Sequence, residues 1–418
     1  MIAPAAVPNE TRRLPRGVVP LAVAALFSTS GSLALTTALG KLVYDITHRK
    51  LDLGLLGLAE FLPTAVLAPL TGTLADRFDR RHVAALGWIG EALCMAYLAH
   101  YAGTHPHAVW PIYVAVVAFG ITRAVVAPAS RALPFDLVSG KQVSRVIALS
   151  NAGWQLGAVV GPVLAGFLYG AGIRLPFIAA AALVIGSALL MFLVPHVDHR
   201  RQSSDTSGRV LHEAMAGLRY VRRSSILLGA ISLDLFAVLF GGAVALLPAI
   251  AEDRLHVGAV GLGWLRAATG IGAGLVTLTI AARPISRRVG RVLLLCVGLF
   301  GVFTIVLGVT HNYAVAFVAL MLLSGADAVS VFIRATLVPL ATPIEMRGRV
   351  LAVEQVFIGA SNELGAFESG VAGQILGLVG AVVLGGAATL AVVALWWVLF
   401  PALRDVDRFS EFKVPVDR

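Results

Sequence analysis

Charged side chains within long apolar stretches are the residues of this sequence best suited to do chemistry. A charge at the centre of a membrane-spanning helix costs roughly 2.5–3.5 kcal/mol, so such a residue marks a function or a specific partner. Carboxylates of this kind could carry protons, and guanidinium groups could bind an anionic molecule. The main candidates for proton coupling or substrate binding are Asp234, Asp327, Arg123, Arg334, Glu60 and Glu354, and further charges in these stretches are Glu91, Arg131, Arg266, Glu363 and Glu368.

The composition indicates that these stretches span a lipid bilayer. Hydrophobic residues make up 58% of the chain and the mean hydropathy is +0.86, well above the values of soluble domains. A run of about 20 apolar residues can cross the hydrocarbon core as a helix. Such runs lie near 17–45, 53–75, 82–101, 109–133, 146–170, 175–195, 226–250, 258–281, 291–310, 313–341, 350–377 and 379–400. We therefore predict an all-α membrane protein with twelve transmembrane helices.

The basic residues predict how these helices are oriented. If both termini are cytoplasmic, most of the 33 Lys and Arg residues face the cytoplasm, as the positive-inside rule requires. The external loops then hold only Arg49, Lys50, Arg174 and Arg254. Because the basic residues are spread over many short loops, the net charge of +10 does not indicate a nucleic-acid partner.

Several classes of site are not expected from this sequence. Cys94 and Cys296 fall inside apolar stretches without neighbouring Cys or His ligands, which argues against a metal site and a disulfide framework. Gly40-Lys41 lacks the upstream glycine of a nucleotide-binding loop and is followed by Leu42 instead of Ser or Thr. We predict no cofactor, no enzymatic activity, and an energy source other than ATP.

Internal repetition predicts two similar halves. The segment 145–148 (RVIA) matches 349–352 (RVLA) at an offset of 204, and the charge pattern of 76–81 matches 283–288 at an offset of 207, with Arg283 in place of the acid. Parallel repeats of this kind are known in secondary transporters. Between the halves lies a polar segment that ends in an amphipathic pattern. The predicted units are a six-helix bundle over 1–195, a cytoplasmic linker with an amphipathic helix over 196–225, and a second six-helix bundle with a cytoplasmic tail over 226–418.

The short segment between predicted helices 2 and 3 resembles the signature loop of the major facilitator superfamily. Its pattern is Gly72-x-x-x-Asp76-Arg77-x-x-Arg80-Arg81. An acid at the C-terminal end of a helix is repelled by the helix dipole, so Asp76 needs a partner elsewhere. The resemblance implies that this loop gates transport. Asp79 departs from the family pattern, which has Gly there, although Asp tolerates a left-handed turn better than most residues.

A second pattern resembles the antiporter motif of the same family. Gly157, Gly161, Pro162 and Gly166 follow that motif on predicted helix 5, with Ala165 in place of one of its glycines. The resemblance implies a gating role and favours export, whereas ordinary close packing of helices would also use small residues. The segments 246–252 and 342–349 resemble the enterobactin-exporter branch of the family.

The resemblance also implies which charges face the central cavity. Helices 7 and 10 line it in this family, so Asp234 and Asp327 rank first for proton coupling; a fixed ion pair is the alternative for Asp234. Arg123 is equivalent to Asp327 at the offset of 204. We hypothesise that Arg123 attracts an anionic group of the cargo, and that Asp327 either carries the proton or pairs with Arg123 across the cavity when the cargo is absent. Alternatively each charge is satisfied within its own half, Asp327 by Arg334.

Together these features predict a proton-coupled exporter of an amphiphilic small molecule in a bacterial inner membrane. By resemblance the cargo is a siderophore or a drug-like compound, and the protein is a monomer whose partners are its substrate, protons and the lipid bilayer. A lysophospholipid flippase is the alternative within transport. A receptor or assembly scaffold that transports nothing is the alternative outside it, although a scaffold gains little from opposite charges in its core.

Overall fold

The computed structural model describes residues 17–104, 106–137, 142–195 and 209–412, without the side chains of 68–70, 72–77, 144 and 209–214. All regular secondary structure in these ranges is helical. The helices of the first half are α1 Val18–Thr47, α2 Lys50–Arg77, α3 Arg80–Ala102, α4 Trp110–Leu137, α5 Gln142–Ala171 and α6 Leu175–Leu190, the last followed by a 3-10 turn Met191–Leu193.

The second half follows a separate short helix and ends in a short tail. The short helix is α7 Arg209–Arg223. The helices of the second half are α8 Ser225–Phe240, α9 Leu247–Ala249, α10 Ala259–Ala282, α11 Val289–Val309, α12 Tyr313–Leu340, α13 Ile344–Leu399 and α14 Pro401–Arg404. Three single-turn elements complete it, the 3-10 turn Gly242–Leu246, the π turn Ile250–Arg254 and the 3-10 turn Phe409–Phe412.

Ten helical segments in the described ranges are long and apolar enough to cross a membrane, so the protein is a multi-pass membrane protein. One of them, α13, is 56 residues long and is broken at Gly377, where φ is 76° and ψ is 166°. This positive φ is readily adopted by glycine because it has no Cβ. The break lies at the boundary between the predicted segments 350–377 and 379–400.

The segment predicted as helix 7, 226–250, lies within the candidate membrane span Ser225–Arg254, but the regular α-helix is interrupted partway along it. α8 ends at Phe240, and the chain then passes through a 3-10 turn, α9 and the π turn. Gly242 lies so close to α13 that an added Cβ would be 2.5 Å from the carbonyl oxygen of Gly365. Hydropathy cannot reveal this interruption because the apolar run continues through it.

Each half has its own set of helix contacts. In the first half α1 packs on α5 and α6, and α4 packs on α2 and α3. In the second half α12 packs on α10 and α11, and α13 packs on α8 and α11. The halves meet through α5 with α10 and α2 with α13. At the first of these contacts an added Cβ on Gly263 would be 2.5 Å from the carbonyl oxygen of Pro162, so only a very small residue fits there.

The helix α7 occupies the region where the sequence predicts an amphipathic helix. Val221 is buried and packs with Leu227 of α8 and Val350 of α13. An added Cβ on Gly217 would lie 2.7 Å from the carbonyl oxygen of Arg349, which shows how closely α7 lies on α13. The linker residues 196–208 lie outside the described residues.

The tail after α14 docks against the start of α11. The Asp407 side chain accepts a hydrogen bond of 3.0 Å from the backbone N–H of Arg288, and the backbone N–H of Gly290 donates to the carbonyl of Val406 at 3.0 Å. The hydrogen bond from Arg288, reinforced by the nearby Arg287 charge, lowers the pKa of Asp407. The tail thus brings an acid to the repeat loop 283–288, where Arg283 stands in place of Asp76.

Candidate functional site

A cavity of about 470 Å³ lies between the two halves and is lined by both of them. Its apolar wall includes Leu33, Leu39, Leu53, Leu56, Val116, Val238, Val244, Phe300 and Leu323. Its charged lining consists of Glu60, Arg123, Arg266, Asp327 and Glu363. A largely apolar pocket with a few charged groups is the form expected for the binding site of an amphiphilic molecule.

Arg123 on α4 is paired within its own half. Its Nη1 lies 2.5 Å from Oε1 of Glu60 on α2, and the Arg123 side chain is 47% exposed because it faces the cavity. Glu363 of α13 lies within electrostatic range of both residues. Gly57 lets this acid approach α2, since an added Cβ there would be 2.9 Å from Oε2 of Glu363. Arg123 is therefore largely neutralised by acids.

The second half holds a fully buried ion pair. Nη2 of Arg334 on α12 lies 2.6 Å from Oδ1 of Asp234 on α8, and the two side chains are only 4% and 6% exposed. Glu354 is also buried and lies within electrostatic range of this pair. Asp234 thus has the partner that the ion-pair alternative requires.

Asp327 lies one heptad before Arg334 on α12, about 10 Å along the helix axis at 1.5 Å per residue. It lines the central cavity and also a smaller neighbouring pocket with Asp234. Among the described residues, no ion pair or hydrogen bond engages its carboxylate. Arg123 and Asp327 therefore line the same cavity from opposite halves, but the structure contains no ion pair between them.

Arg266 on α10 lines the cavity instead of extending to the membrane surface. Its location near the end of a helix suggests a snorkelling side chain, but its Nε is buried and has no hydrogen-bond partner in the described chain. Nη2 of Arg266 lies near Gly40 of α1, because a Cβ added to Gly40 would be 3.5 Å from it. The guanidinium therefore reaches from α10 towards α1.

Glu91 on α3 belongs to the Glu60–Arg123 group. It is 2% exposed, and its Oε2 has no hydrogen-bond partner among the described residues. Electrostatic interactions join it to Arg123 and Glu60. Gly90 allows this approach, because an added Cβ there would be 2.6 Å from Cγ2 of Thr122 on α4.

A network of ionic and hydroxyl groups joins the two halves at the end of the molecule where α1 ends. We name it the Lys41 network; it comprises Lys41, Tyr44, Asp45, Lys50, Tyr169, Glu252 and Asp253. Nζ of Lys41 lies 2.7 Å from Oε2 of Glu252, and Nζ of Lys50 lies 3.1 Å from Oδ2 of Asp253. Both acids lie on the π turn, a rare element that is frequent at functional sites. The network lies beside Gly40, which precedes Lys41 and lines the cavity.

The Lys41 network is the part of the site that sequence reasoning missed. Glu252 was noted only within the segment 246–252, and Lys41 only in the comparison with a nucleotide-binding loop; in the structure Lys41 also contacts Asp45. A signal was present, because Glu252 and Asp253 end predicted helix 7 on the same side of the membrane as Lys41 and Lys50.

The signature loop lies at the opposite end, and part of it is described. Asp79 has φ −61° and ψ 114°, so it does not adopt the left-handed turn considered for it; it caps α3 by accepting a hydrogen bond from the backbone N–H of Arg81. Arg80 forms a 2.8 Å ion pair with Asp136 at the end of α4. The side chains of Asp76 and Arg77 and the surroundings of Gly72 lie outside the described part of the structure.

The motif of α5 lies at two close helix contacts. An added Cβ on Gly161 would be 2.5 Å from the carbonyl oxygen of Ser30 on α1, and one on Gly157 would be 2.8 Å from Cβ of Thr29. An added Cβ on Gly166 would be 2.6 Å from the carbonyl oxygen of Ala259 on α10. These glycines let the backbone of α5 approach α1 and α10 closely.

Glu354, Ser361 and Glu368 lie at intervals of seven on α13, and they differ in surroundings. Glu354 and Ser361 are buried, whereas the Glu368 carboxylate is half-buried and accepts a 3.5 Å hydrogen bond from Ser369. Arg131 near the end of α4 is exposed. The row formed by Glu354, Ser361 and Glu368 therefore lies partly against protein, and of these three residues only Glu354 approaches the buried ion pair.

The sequence and fold also resemble known proteins. The uncharacterized MFS-type transporter YfiS of Bacillus subtilis is 26% identical over 386 residues, covering 87% of this chain and 88% of its own. The enterobactin exporter EntS of Shigella flexneri is 28% identical over 295 residues, covering 67% and 66%. A bacterial homologue of the human lysosomal transporter Spinster, in an inward-facing unoccupied conformation, has a TM-score of 0.66 at 15% identity, covering 96% and 98%.

These likenesses agree with the architecture of two helical halves around a charged cavity. The family model of the Major Facilitator Superfamily matches residues 21–293, which is more than half of the chain. The signature loop and the α5 motif lie within this match. The chain belongs to the major facilitator superfamily of membrane transporters.

Proposed function

We propose that this protein is a proton-coupled exporter of an amphiphilic small molecule that works by alternating access. The observation that supports this proposal is the cavity between the halves, which Asp327 lines without an ion pair or hydrogen bond among the described residues, although Arg334 lies within electrostatic range of it. A carboxylate that is not held by a fixed cation can take up and release a proton while cargo binds. Asp234 is the weaker candidate, because Arg334 holds it at 2.6 Å.

The cargo class follows from the lining of the cavity. Leucine, valine and phenylalanine side chains form a large apolar part of the wall, and charged groups lie at a few points. This pattern favours an amphiphile such as a siderophore or a drug-like compound, and a relative is an enterobactin exporter. A lysophospholipid would fit the same lining, so a flippase is the second candidate.

We also propose the topology that the sequence predicts. Counting α2 and both limbs of α13, divided at Gly377, gives twelve spans in two bundles joined by the linker 196–225. Both termini would be cytoplasmic in a bacterial inner membrane, and the Lys41 network would then face outward. A cysteine placed at residue 205 should resist impermeant thiol reagents added to sealed cells; labelling from outside would overturn this orientation.

We propose that the signature loop gates transport at the cytoplasmic end of the protein. The signature loop with Asp76, Arg77, Arg80 and Arg81 would hold the cytoplasmic ends together in the outward-open state. We expect Asp76→Asn to insert and fold normally but to transport slowly. Turnover equal to that of the wild type would remove the loop from the gating mechanism.

Proteoliposomes with an imposed pH gradient test the proposed function. The cargo panel consists of enterobactin, the cationic dye ethidium and a fluorescent lysophospholipid, and a pH-sensitive dye reports proton movement. We expect the gradient to drive at least one of these compounds, with Asp327→Asn uncoupling its movement from protons. Asp234→Asn is the matched comparison, because unchanged coupling in that variant favours a structural ion pair. No gradient-dependent movement of any compound would contradict the proposal.

A further inference from the structure

Four cations near the central cavity differ in whether an acid neutralises them. Arg123 pairs with Glu60 at 2.5 Å, Arg334 pairs with Asp234 at 2.6 Å, and Lys41 contacts both Asp45 and Glu252. Arg266 has no ion pair or side-chain hydrogen bond in the described chain. No described acid lies within electrostatic range of it either.

An unpaired guanidinium in this place requires an explanation. Burying a charge without a partner costs free energy because the charge loses its hydration. Only an opposite charge or hydrogen-bond acceptors offset this cost for a guanidinium. Nε of Arg266 is buried and unpartnered, and the side chain lines the cavity next to Gly40 of α1. The residue is therefore positioned to receive acceptors from a molecule that enters the cavity.

We infer that Arg266 binds the anionic group of the cargo, so the cargo is an organic anion or a zwitterion with a carboxylate, sulfonate or phosphate. The planar guanidinium fork matches such groups in a bidentate manner. The apolar lining that includes Leu39, Leu53 and Val244 would hold the hydrophobic part of the same molecule. This inference rests on the proposed function for the identity of the cavity as a cargo site.

Arg266 thereby takes the anion-binding role that the sequence suggested for Arg123. Arg123 already has Glu60 in contact and Glu91 and Glu363 within electrostatic range, so an anion near it would meet three acids. Arg266 presents no such acids. The two arginines thus differ in that acids compensate Arg123 and not Arg266.

Binding of a charge-matched probe series tests the assignment without any gradient. The probes are dansyl glycine, dansyl glycinamide and dansyl ethylenediamine, which share one fluorophore and carry an anionic, a neutral and a cationic group. Their affinities are measured by fluorescence titration of the full chain in phosphatidylcholine nanodiscs. The variants are Arg266→Gln, Arg266→Lys and, as an exposed control, Arg283→Gln.

We expect the wild type to prefer the anionic probe, and Arg266→Gln to weaken it by about tenfold or more, the size of a lost charge-assisted hydrogen bond. The neutral probe should bind Arg266→Gln as it binds the wild type, which shows that the variant is folded. Arg266→Lys should retain part of the preference, and Arg283→Gln all of it. Competition from added phosphatidylglycerol would identify a lipid headgroup as one source of the anion.

The assignment is overturned if the wild type does not bind the anionic probe or does not prefer it to the neutral one. It is also overturned if Arg266→Gln lowers both affinities equally or neither. Because the assay measures binding alone, failure of gradient-driven transport with the anion preference intact would contradict the proposed function and leave the Arg266 site standing.

Discussion

Removing one partner of the Asp234–Arg334 pair should destabilise the protein strongly. Both side chains are nearly inaccessible, with 6% and 4% exposure, and their charged atoms are 2.6 Å apart. Arg334→Met leaves a buried carboxylate without its cation, and the loss of such a partner costs about 3–5 kcal/mol of unfolding free energy. Nε of Arg334 already lacks a partner among the described residues, so the pair itself is imperfectly satisfied.

Replacing both partners should behave differently. The double variant Asp234→Leu/Arg334→Met removes both buried charges and fills the space with apolar groups, which is often neutral or stabilising by about 1–4 kcal/mol. Arg123→Met is the matched control, because Arg123 is 47% exposed to the cavity. The Glu60 carboxylate that remains is 20% exposed and keeps part of its hydration, so this control should lose less unfolding free energy than Arg334→Met.

Denaturant titration in mixed micelles gives the unfolding free energies that this comparison needs. We expect Arg334→Met to lose much of its unfolding free energy, the double variant to recover it, and the control to lose less. Equal losses in Arg334→Met and Arg123→Met would refute it, because burial would then have no bearing on the value of the pair. A double variant less stable than Arg334→Met alone would refute it as well.

Three further outcomes follow from the contacts described. Glu252→Gln removes a charge that Lys41 meets at 2.7 Å, so spin labels across that end of the cavity should report a larger open population; an unchanged distance distribution would exclude a gating role. Gly161→Val should lose about 1–3 kcal/mol of unfolding free energy by overpacking against α1, and wild-type thermal stability would contradict the close contact. Asp407→Asn should expose the tail to protease; its lowered pKa means that the wild-type contact holds above about pH 4 and is lost as the pH falls further. Equal cleavage of both forms at neutral pH would show that the Asp407–Arg288 contact does not hold the tail.

The sequence predicted most of the helices because their length and hydrophobicity are set by the bilayer. The boundary between 350–377 and 379–400 coincides with Gly377, since a glycine between two apolar runs permits the positive φ found there. The interruption after Phe240 was not predictable from hydropathy, because the 3-10 turn and α9 are as apolar as the helix before them.

The partners of the charged residues were less predictable than their depth. Arg123 and Glu60 are separated by 63 positions in the sequence, and helical periodicity does not fix which faces of α2 and α4 meet. For Asp234, the sequence was compatible with either a proton-coupling carboxylate or a fixed ion pair. Only the packing of α8 near α12 brings Arg334 to this carboxylate. The lack of a partner for Arg266 is likewise a property of the assembled helices, because the acids nearest in sequence face elsewhere.

The docked tail has a consequence for the order of synthesis. Asp407 caps a loop residue, Arg288, that precedes it by 119 positions. At a translation rate of about 5–20 residues per second, that interval lasts roughly 6–24 s. Throughout this time the nascent chain carries the basic loop 283–288 and the start of α11 without the acid that caps them. No such delay arises in the first half, because Asp79, which caps α3, precedes its partner Arg81 by only two residues.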